Sequence, residues 1–289
     1  MTTQNARQTN ALLGYPADAR LLLVNADDLG MCHAVNDAII HSLQEGIVTS
    51  TSVMVPCPWA LHAITWLKQA PSVPFGVHLT VISEQPTYRW GPVLCRSEVP
   101  SLLDEMGYFY SEARIDELIS RVNLAELERE FRAQIEWVLA AGLRPTHLDS
   151  HCSVHTRSQP IFDMTLGLAR EYGLALRVYQ QPFIGQLQAQ GYPTNDHPLM
   201  DSYTVDVAGK SERYAAMLRE LPPGLSEWAT HPGFGNAEMQ AVEPDAWQVR
   251  QTDFDFLTSP EAREIIRQEG IILVDYRAIQ ELWNARRSA

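Results

Sequence analysis

Residues 21–30 read LLLVNADDLG: four apolar side chains, Leu21 to Val24, followed by Asn25 and an acidic turn, Ala26-Asp27-Asp28-Leu29-Gly30. A short continuous apolar run bounded by a polar turn is the pattern of a strand buried on both faces, as in a parallel sheet covered by helices. Asp27 and Asp28 then stand at the C-terminal end of that strand. From about Ala34 to Glu45 the apolar residues Val35, Ala38, Ile39 and Leu43 recur at helical spacing, with Gly46 as a C-cap candidate. Strand, acidic loop and helix open the ordered part of the chain. The 18 residues before it lack apolar periodicity and are expected to form a disordered lead-in.

The alternation continues downstream. A β-rich run spans Val48 to Val55, helical spacing covers Trp59 to Gln69, and a short strand pattern lies at Phe75 to Leu79. Asn123 with Glu126 forms a capping-box pattern, after which Leu124, Leu127, Phe131, Ile135 and Leu139 mark one helix face as far as Gly142. Strand patterns follow at Thr146–Asp149, Leu174–Val178, Ser226–Thr230 and Ile271–Val274. Helical ones follow at Pro160–Tyr172, Ser211–Leu221, Pro260–Gln268 and, after the last strand, to about Arg286. Two stretches break the rhythm. Residues 83–112 carry Pro86, Gly91, Pro92 and Pro100, and residues 180–208 are rich in Gln, Pro and Gly, so both are expected to be loop insertions. Roughly seven strands alternating with helices, with no internal repeat, predict one α/β barrel domain over residues 19–289 in preference to an open sheet.

Composition limits the function. With 45% hydrophobic and 20% charged residues the chain can bury a large core. A formal net charge of −13 argues against binding to nucleic acid or an anionic membrane, both of which require Lys and Arg against phosphates, and suits a neutral or cationic small substrate. Four cysteines without a C-x-x-C pair and a polar N-terminus without a signal-peptide core point to a cytoplasmic protein with reduced thiols. No apolar run approaches the ~18 residues of a membrane span, so no integral membrane segment is expected. Trp90, Leu94, Leu102 and Leu103 in the 83–112 stretch offer apolar surface for a homo-oligomer contact.

The polar residues that stand out fall at predicted strand ends: Asp27 and Asp28 after the first, His78 in the third, Asp149 and His151 after the fourth, His231 after a later one. In a parallel α/β fold those ends meet at one mouth, where ligands bind. Imidazole and carboxylate together suit a divalent ion such as zinc, and three protein ligands leave a position for water, which a metal makes nucleophilic near neutral pH. Asp27, beside a candidate ligand, is placed to take a proton from that water, and His231 in Thr230-His231-Pro232-Gly233-Phe234 to protonate a leaving amine. Simpler roles compete: an Asp-Asp pair after a strand also caps helices, and an isolated His78 would be read as a core histidine. The segment His147 to His155, however, packs three His and one Asp into nine residues of a chain with nine His in all. Strand alternation would put His147, Asp149 and His151 on one face. His155, four residues after His151, is a reserve ligand if the segment turns helical, and Asp149 a candidate to orient a ligating imidazole from behind. Cys152 reads as a small packed residue, and His33, His41, His62 and His197 as structural or surface residues. Tyr88, Trp90, Tyr179 and Tyr192 are candidates to stack on a ligand face or for plain packing.

The motifs Val24 to Gly30, Ile47-Val48-Thr49-Ser50-Thr51-Ser52, Gly76-Val77-His78-Leu79-Thr80, Pro145 to His151 and Thr230 to Phe234 resemble, in content and order, those of the YdjC-like carbohydrate deacetylases. That family includes chitooligosaccharide deacetylases and deacetylases linked to hopanoid biosynthesis. Arg250 to Ser259 (RQTDFDFLTS) and Val274-Asp275-Tyr276-Arg277 also fit, so the resemblance runs from about Leu21 to Ala278. It implies a distorted (β/α) barrel related to the polysaccharide deacetylases, with one divalent metal ion, Mg or Zn, and an N-acetylated sugar substrate. Carried over by position, it implies Asp28, His78 and His151 as metal ligands, Asp27 as base and His231 as acid. The chain departs from the family pattern at Ser153, where another His is common, which bears on substrate contacts beside the metal.

Overall fold

The computed structural model describes residues 6–287, and their side chains over 9–286. Its centre is an all-parallel sheet of β1 (Arg20–Leu29), β2 (Ser50–Val53), β3 (Phe75–Leu79), β4 (His147–Ser150), β5 (Ala175–Leu176), β6 (Met200–Asp201), β7 (Gly224–Thr230) and β8 (Ile272–Val274). The order across it is β5-β4-β3-β2-β1-β7-β6, with β8 also on β1. β8 occupies the Leu21–Leu23 half of one β1 edge and β2 begins at Asn25 on the same edge. Among the described residues β5 and β6 do not pair, so the sheet curls into a half-barrel and does not close. The all-apolar reading of Leu21–Val24 holds: these side chains are fully buried, and helices including His33–Glu45, Ala60–Gln69, Leu124–Ala140 and Gln159–Tyr172 pack the surrounding core.

Several predicted boundaries move. β1 does not stop at Asn25 but runs to Leu29, and its register against β2 shifts between Ala26 and Leu29. Three steps on β1 there oppose two on β2, a bulge that redirects side chains at the strand end. The expected disordered lead-in differs too: Ala6–Leu12 is a helix, and residues 1–5 lie outside the described residues. That helix is anchored by polar contacts that leave no apolar period. Asn10 Nδ2 donates to the carbonyls of Pro16 and Ala19, and the Thr9 hydroxyl to that of Thr194.

Both insertions are more ordered than loops. Residues 83–112 fold onto the core through buried Trp90, Val99, Leu102, Phe109 and Tyr110. Trp90 and Leu102 therefore face the chain's own interior, while Leu94 and Leu103 are only partly buried against it. Residues 180–208 contain the helix Phe183–Ala189, β6 and a 3-10 turn, Ser202–Thr204. Three further helices without a clear apolar period, Ile115–Arg121, Ala237–Val242 and Trp247–Leu257, also escape the sequence pattern.

Gly76 shows how closely the site's floor is packed. A Cβ there would lie 2.5 Å from Nε2 of His147, whose ring stacks on Tyr276 with centroids 3.6 Å apart. Gly76→Ala is therefore expected to cost about 1–3 kcal/mol by overpacking. A thermal melt unchanged from the wild type would refute this.

Candidate metal centre and active site

The bulge in β1 carries the two carboxylates. Asp28 takes a left-handed backbone conformation, φ 71°, which Asp tolerates better than most residues. Its Oδ1 lies 3.4 Å from Nε2 of His78, from β3, and 3.2 Å from Nδ1 of His151, which follows β4. Oδ2 accepts a hydrogen bond from Arg250 at 2.9 Å. Asp28 Oδ1 and His151 Nε2 are both buried without a hydrogen-bond partner among the described residues. Directly after His151 the chain reverses through Cys152 (φ 51°) and Ser153 (φ 57°). Left-handed backbone at such residues costs roughly 1–2 kcal/mol each, strain of the kind that gathers at functional sites.

Behind His78 stands Asp149, whose Oδ1 pairs with His78 Nδ1 at 2.9 Å. Ser52 donates to Asp149 Oδ2 at 2.7 Å and Arg177 reaches it at 2.9 Å. Asp149 thus directs His78 Nε2 towards Asp28, the arrangement by which carboxylates orient ligating imidazoles. Burial alone would lower the His78 pKa, but Asp149 and Asp28 outweigh it and raise it to about 10. Five buried carboxylates, Asp27, Asp28, Asp149, Glu227 and Glu243, face two guanidiniums, Arg177 and Arg250, a surplus that protonated imidazoles or a bound cation must balance. Excess charge, unpartnered buried donor atoms and a mixed His/Asp set within one small group are what a divalent cation satisfies.

Asp27 points elsewhere. Arg177 grips both of its oxygens at 2.7 and 2.8 Å, and Asn25 Nδ2 donates to Oδ1 at 2.7 Å. Burial pushes the Asp27 carboxyl up, but Arg177 prevails and holds it below the ordinary value, hence ionised. Arg177 is itself held by Glu227, to which Tyr276 also donates.

These groups border a cavity of about 340 Å³ lined by Asp27, His78, His151 and His231 together with Glu84, Glu112, Cys152, Ser153, Tyr179, Asp201, Tyr203 and Glu243. The strand ends thus bring Asp27, Asp28, His78, Asp149, His151 and His231 to one mouth. His155 borders the cavity but does not join the His/Asp group. Its Nδ1 meets Ser150 Oγ at 2.6 Å and its Nε2 the Arg177 carbonyl at 3.0 Å, so both ring nitrogens are engaged away from Asp28. His147 turns into the floor against Tyr276. Of the four candidate stacking aromatics only Tyr179 lines the cavity. Tyr88 binds the Met31 carbonyl, Trp90 that of Ile82, and Tyr192 packs on Trp283.

Sequence reading missed Glu84, Arg177, Arg250 and Tyr203. Glu84 Oε1 approaches His151 Nε2 at 3.5 Å, and burial raises its pKa. It sits in the 83–112 insertion, where no periodicity marks it. Arg177 did carry a signal, a lone cation inside the apolar run Leu174-Ala175-Leu176-Arg177-Val178, which only a buried carboxylate partner explains. The Cys152 thiol is pushed up to about 11 by burial, which keeps it protonated and unsuited to nucleophilic attack.

The family model described as YdjC-like protein matches residues 21–268. A carbohydrate deacetylase of Enterococcus faecalis is 34% identical over 89% of this chain and 97% of its own. A chitooligosaccharide deacetylase of Yersinia enterocolitica is 30% identical over 89% and 98% respectively. A solved Enterococcus faecalis structure, to which cellobiose-phosphate cleavage has been ascribed, matches with a TM-score of 0.76 and 30% identity over 90% of this chain and 99% of its own.

Proposed function

Since this chain belongs to the YdjC-like protein family, we propose that it is a metal-dependent carbohydrate deacetylase that hydrolyses the N-acetyl group of an amino sugar or its oligomer. The observation that carries this reading is the convergence of Asp28, His78 and His151, with polar atoms buried and unpartnered, on a cavity that also receives Asp27 and His231. The names of the relatives supply the substrate class. In this reading Asp28, His78 and His151 hold one divalent ion, Mg or Zn, and residues 19–289 form a single catalytic domain. Among the described residues no helix is long and apolar enough to cross a membrane. The four cysteines, all free, fit the reducing cytoplasm, where we place the enzyme.

When bound, the ion would act as a Lewis acid towards water and the acetyl oxygen. The remaining work belongs to side chains. Asp27, ionised and fixed by Arg177, accepts the proton of the attacking water. His231 delivers a proton to the amide nitrogen as the C–N bond breaks, so that acetate and a free amine leave. Asp149 acts through His78, and Asp149→Asn is expected to weaken metal affinity about 10- to 100-fold while excess metal restores turnover. Unchanged affinity in a competition titration would remove Asp149 from this role.

A cleavage of phosphorylated sugars, as ascribed to the solved relative, lacks support here. Arg177, a guanidinium on the cavity wall, is committed to Asp27, Asp149 and Glu227, and among the described residues no lysine lines the cavity. Incubation with N-acetylated chitooligosaccharides and assay of acetate, with and without a chelator, tests the proposal. Metal-dependent acetate release is the expected result. Sugar binding without release would mark an inactive sugar-binding relative, and release from other amides or esters alone a different hydrolase.

A further inference from the structure

We propose that Ser202, Tyr214 and Asp253 form a buried hydrogen-bond chain that holds His231 with a proton on Nδ1 and its Nε2 aimed into the cavity. This rests on the reading of His231 as proton donor and goes beyond it by naming the residues that prepare it. Ser202 comes from the turn after β6, Tyr214 from the helix Lys210–Arg219 and Asp253 from the helix Trp247–Leu257. Three separate elements thus meet behind one imidazole.

The direction of each bond follows from the far end. Asp253 is fully buried, and its Oδ1 accepts from Tyr214 Oη at 2.6 Å and Lys210 Nζ at 2.8 Å, while Oδ2 accepts the backbone N–H of His231 at 2.8 Å. A carboxylate only accepts, so the phenolic proton points at Asp253 and the Tyr214 oxygen is left as an acceptor. The Ser202 hydroxyl, also fully buried, adjoins that oxygen, the nearby acceptor to which we assign its proton. With its single proton assigned there, Ser202 Oγ, 2.8 Å from His231 Nδ1, is the acceptor of Nδ1–H. His231 Nε2 is left without a protein partner among the described residues and belongs to the cavity wall.

This arrangement suits a proton donor. The imidazolium carries protons on both nitrogens, with Nδ1–H supported by the chain that ends on ionised Asp253. Once Nε2 has released its proton to the leaving nitrogen, the neutral ring is already in the Nδ1–H tautomer that Ser202 accepts, and nothing must rearrange. Buried Lys210 balances the charge of Asp253, so the chain ends on a paired carboxylate. Ser202, Tyr214 and Asp253 touch no reacting atom and are positioning residues.

The test uses the full-length, metal-loaded protein and its Ser202→Ala, Ser202→Thr and Tyr214→Phe variants. Nitrogen-15 spectra of the histidines above their titration range, with His231 assigned by loss of its signal in His231→Gln, should show Nδ1–H in the wild type. Ser202→Ala should shift His231 towards Nε2–H, and Tyr214→Phe should do so in part. On an N-acetylated chitooligosaccharide, kcat should fall roughly ten- to a hundredfold, the worth of one hydrogen bond to a charged group, with KM little changed. Ser202→Thr, which keeps the hydroxyl, should recover the tautomer and most of kcat. An Nε2–H wild-type ring overturns the proposal whether or not any variant folds. So does a folded Ser202→Ala protein with unchanged tautomer and kcat. If no acetate is released from any substrate, the deacetylase reading fails while the tautomer spectra still decide the chain.

Discussion

Asp28→Asn is expected to lose divalent-metal uptake and to reduce acetate release to the level of chelator-treated wild type. Asn keeps the volume of Asp and tolerates the left-handed backbone at φ 71°, so the variant tests charge and not conformation. What it removes is the anionic Oδ1 set between His78 and His151 at 3.4 and 3.2 Å. Two neutral imidazoles without a carboxylate hold a divalent ion poorly, and the ion is what would lower the pKa of a water towards neutrality. Arg250 retains Glu243 at 2.7 Å, so the fold should survive, as circular dichroism would show. Metal stoichiometry near one in the purified variant, measured by plasma mass spectrometry, would remove Asp28 from the ligand set.

Asp27→Asn should behave in the opposite way towards metal. Here the ion is retained and turnover falls by about 10²–10⁴-fold, the usual worth of a positioned general base. Arg177 keeps Asp149 and Glu227 at 2.9 and 2.7 Å after the change, so the guanidinium stays paired and gross unfolding is not expected. The contrast between the two neighbours is the informative quantity. They adjoin in sequence, yet the bulge sends one to the imidazoles and the other to Arg177. Loss of metal from Asp27→Asn would make it a ligand and leave the base unassigned. Near-normal turnover would leave it a structural partner of Arg177.

How much of this was readable from residues alone depends on how local the signal is. Leu21–Val24 announces a buried strand because a parallel sheet covered on both faces admits only apolar side chains there. His78, Asp149 and His151 could be placed at the mouth because strand ends in such folds converge. The bulge at Asp27–Asp28 was not legible, since it arises from register against β2 and leaves no mark on β1 alone. Nor was the partnership of Asp28 with Arg250, 222 positions away, or of Asp27 with Arg177, 150 positions away. The periodic expectation for His155 failed for a related reason. Cys152 and Ser153 break the backbone out of helical geometry, so His155 turns to Ser150 and not to the metal group. Short helices such as Trp247–Leu257 escaped because their inward faces mix polar and apolar residues, here Arg250 and Asp253 with Phe256 and Leu257, which breaks the apolar period.

β1 is hydrogen-bonded to β7 along one edge and shared between β8 and β2 along the other. Its amides near Val24 and Asn25 should therefore exchange with solvent deuterium only when the whole protein opens. The sheet edge formed by the two-residue β6, with the turn Ser202–Thr204 after it, has few such bonds and should exchange through local fluctuation. Amides of β1 exchanging as fast as those of the Ser202 turn would contradict this. The carboxylates of the site thus ride on the strand expected to open last, while the edge that bears β6 is expected to loosen first.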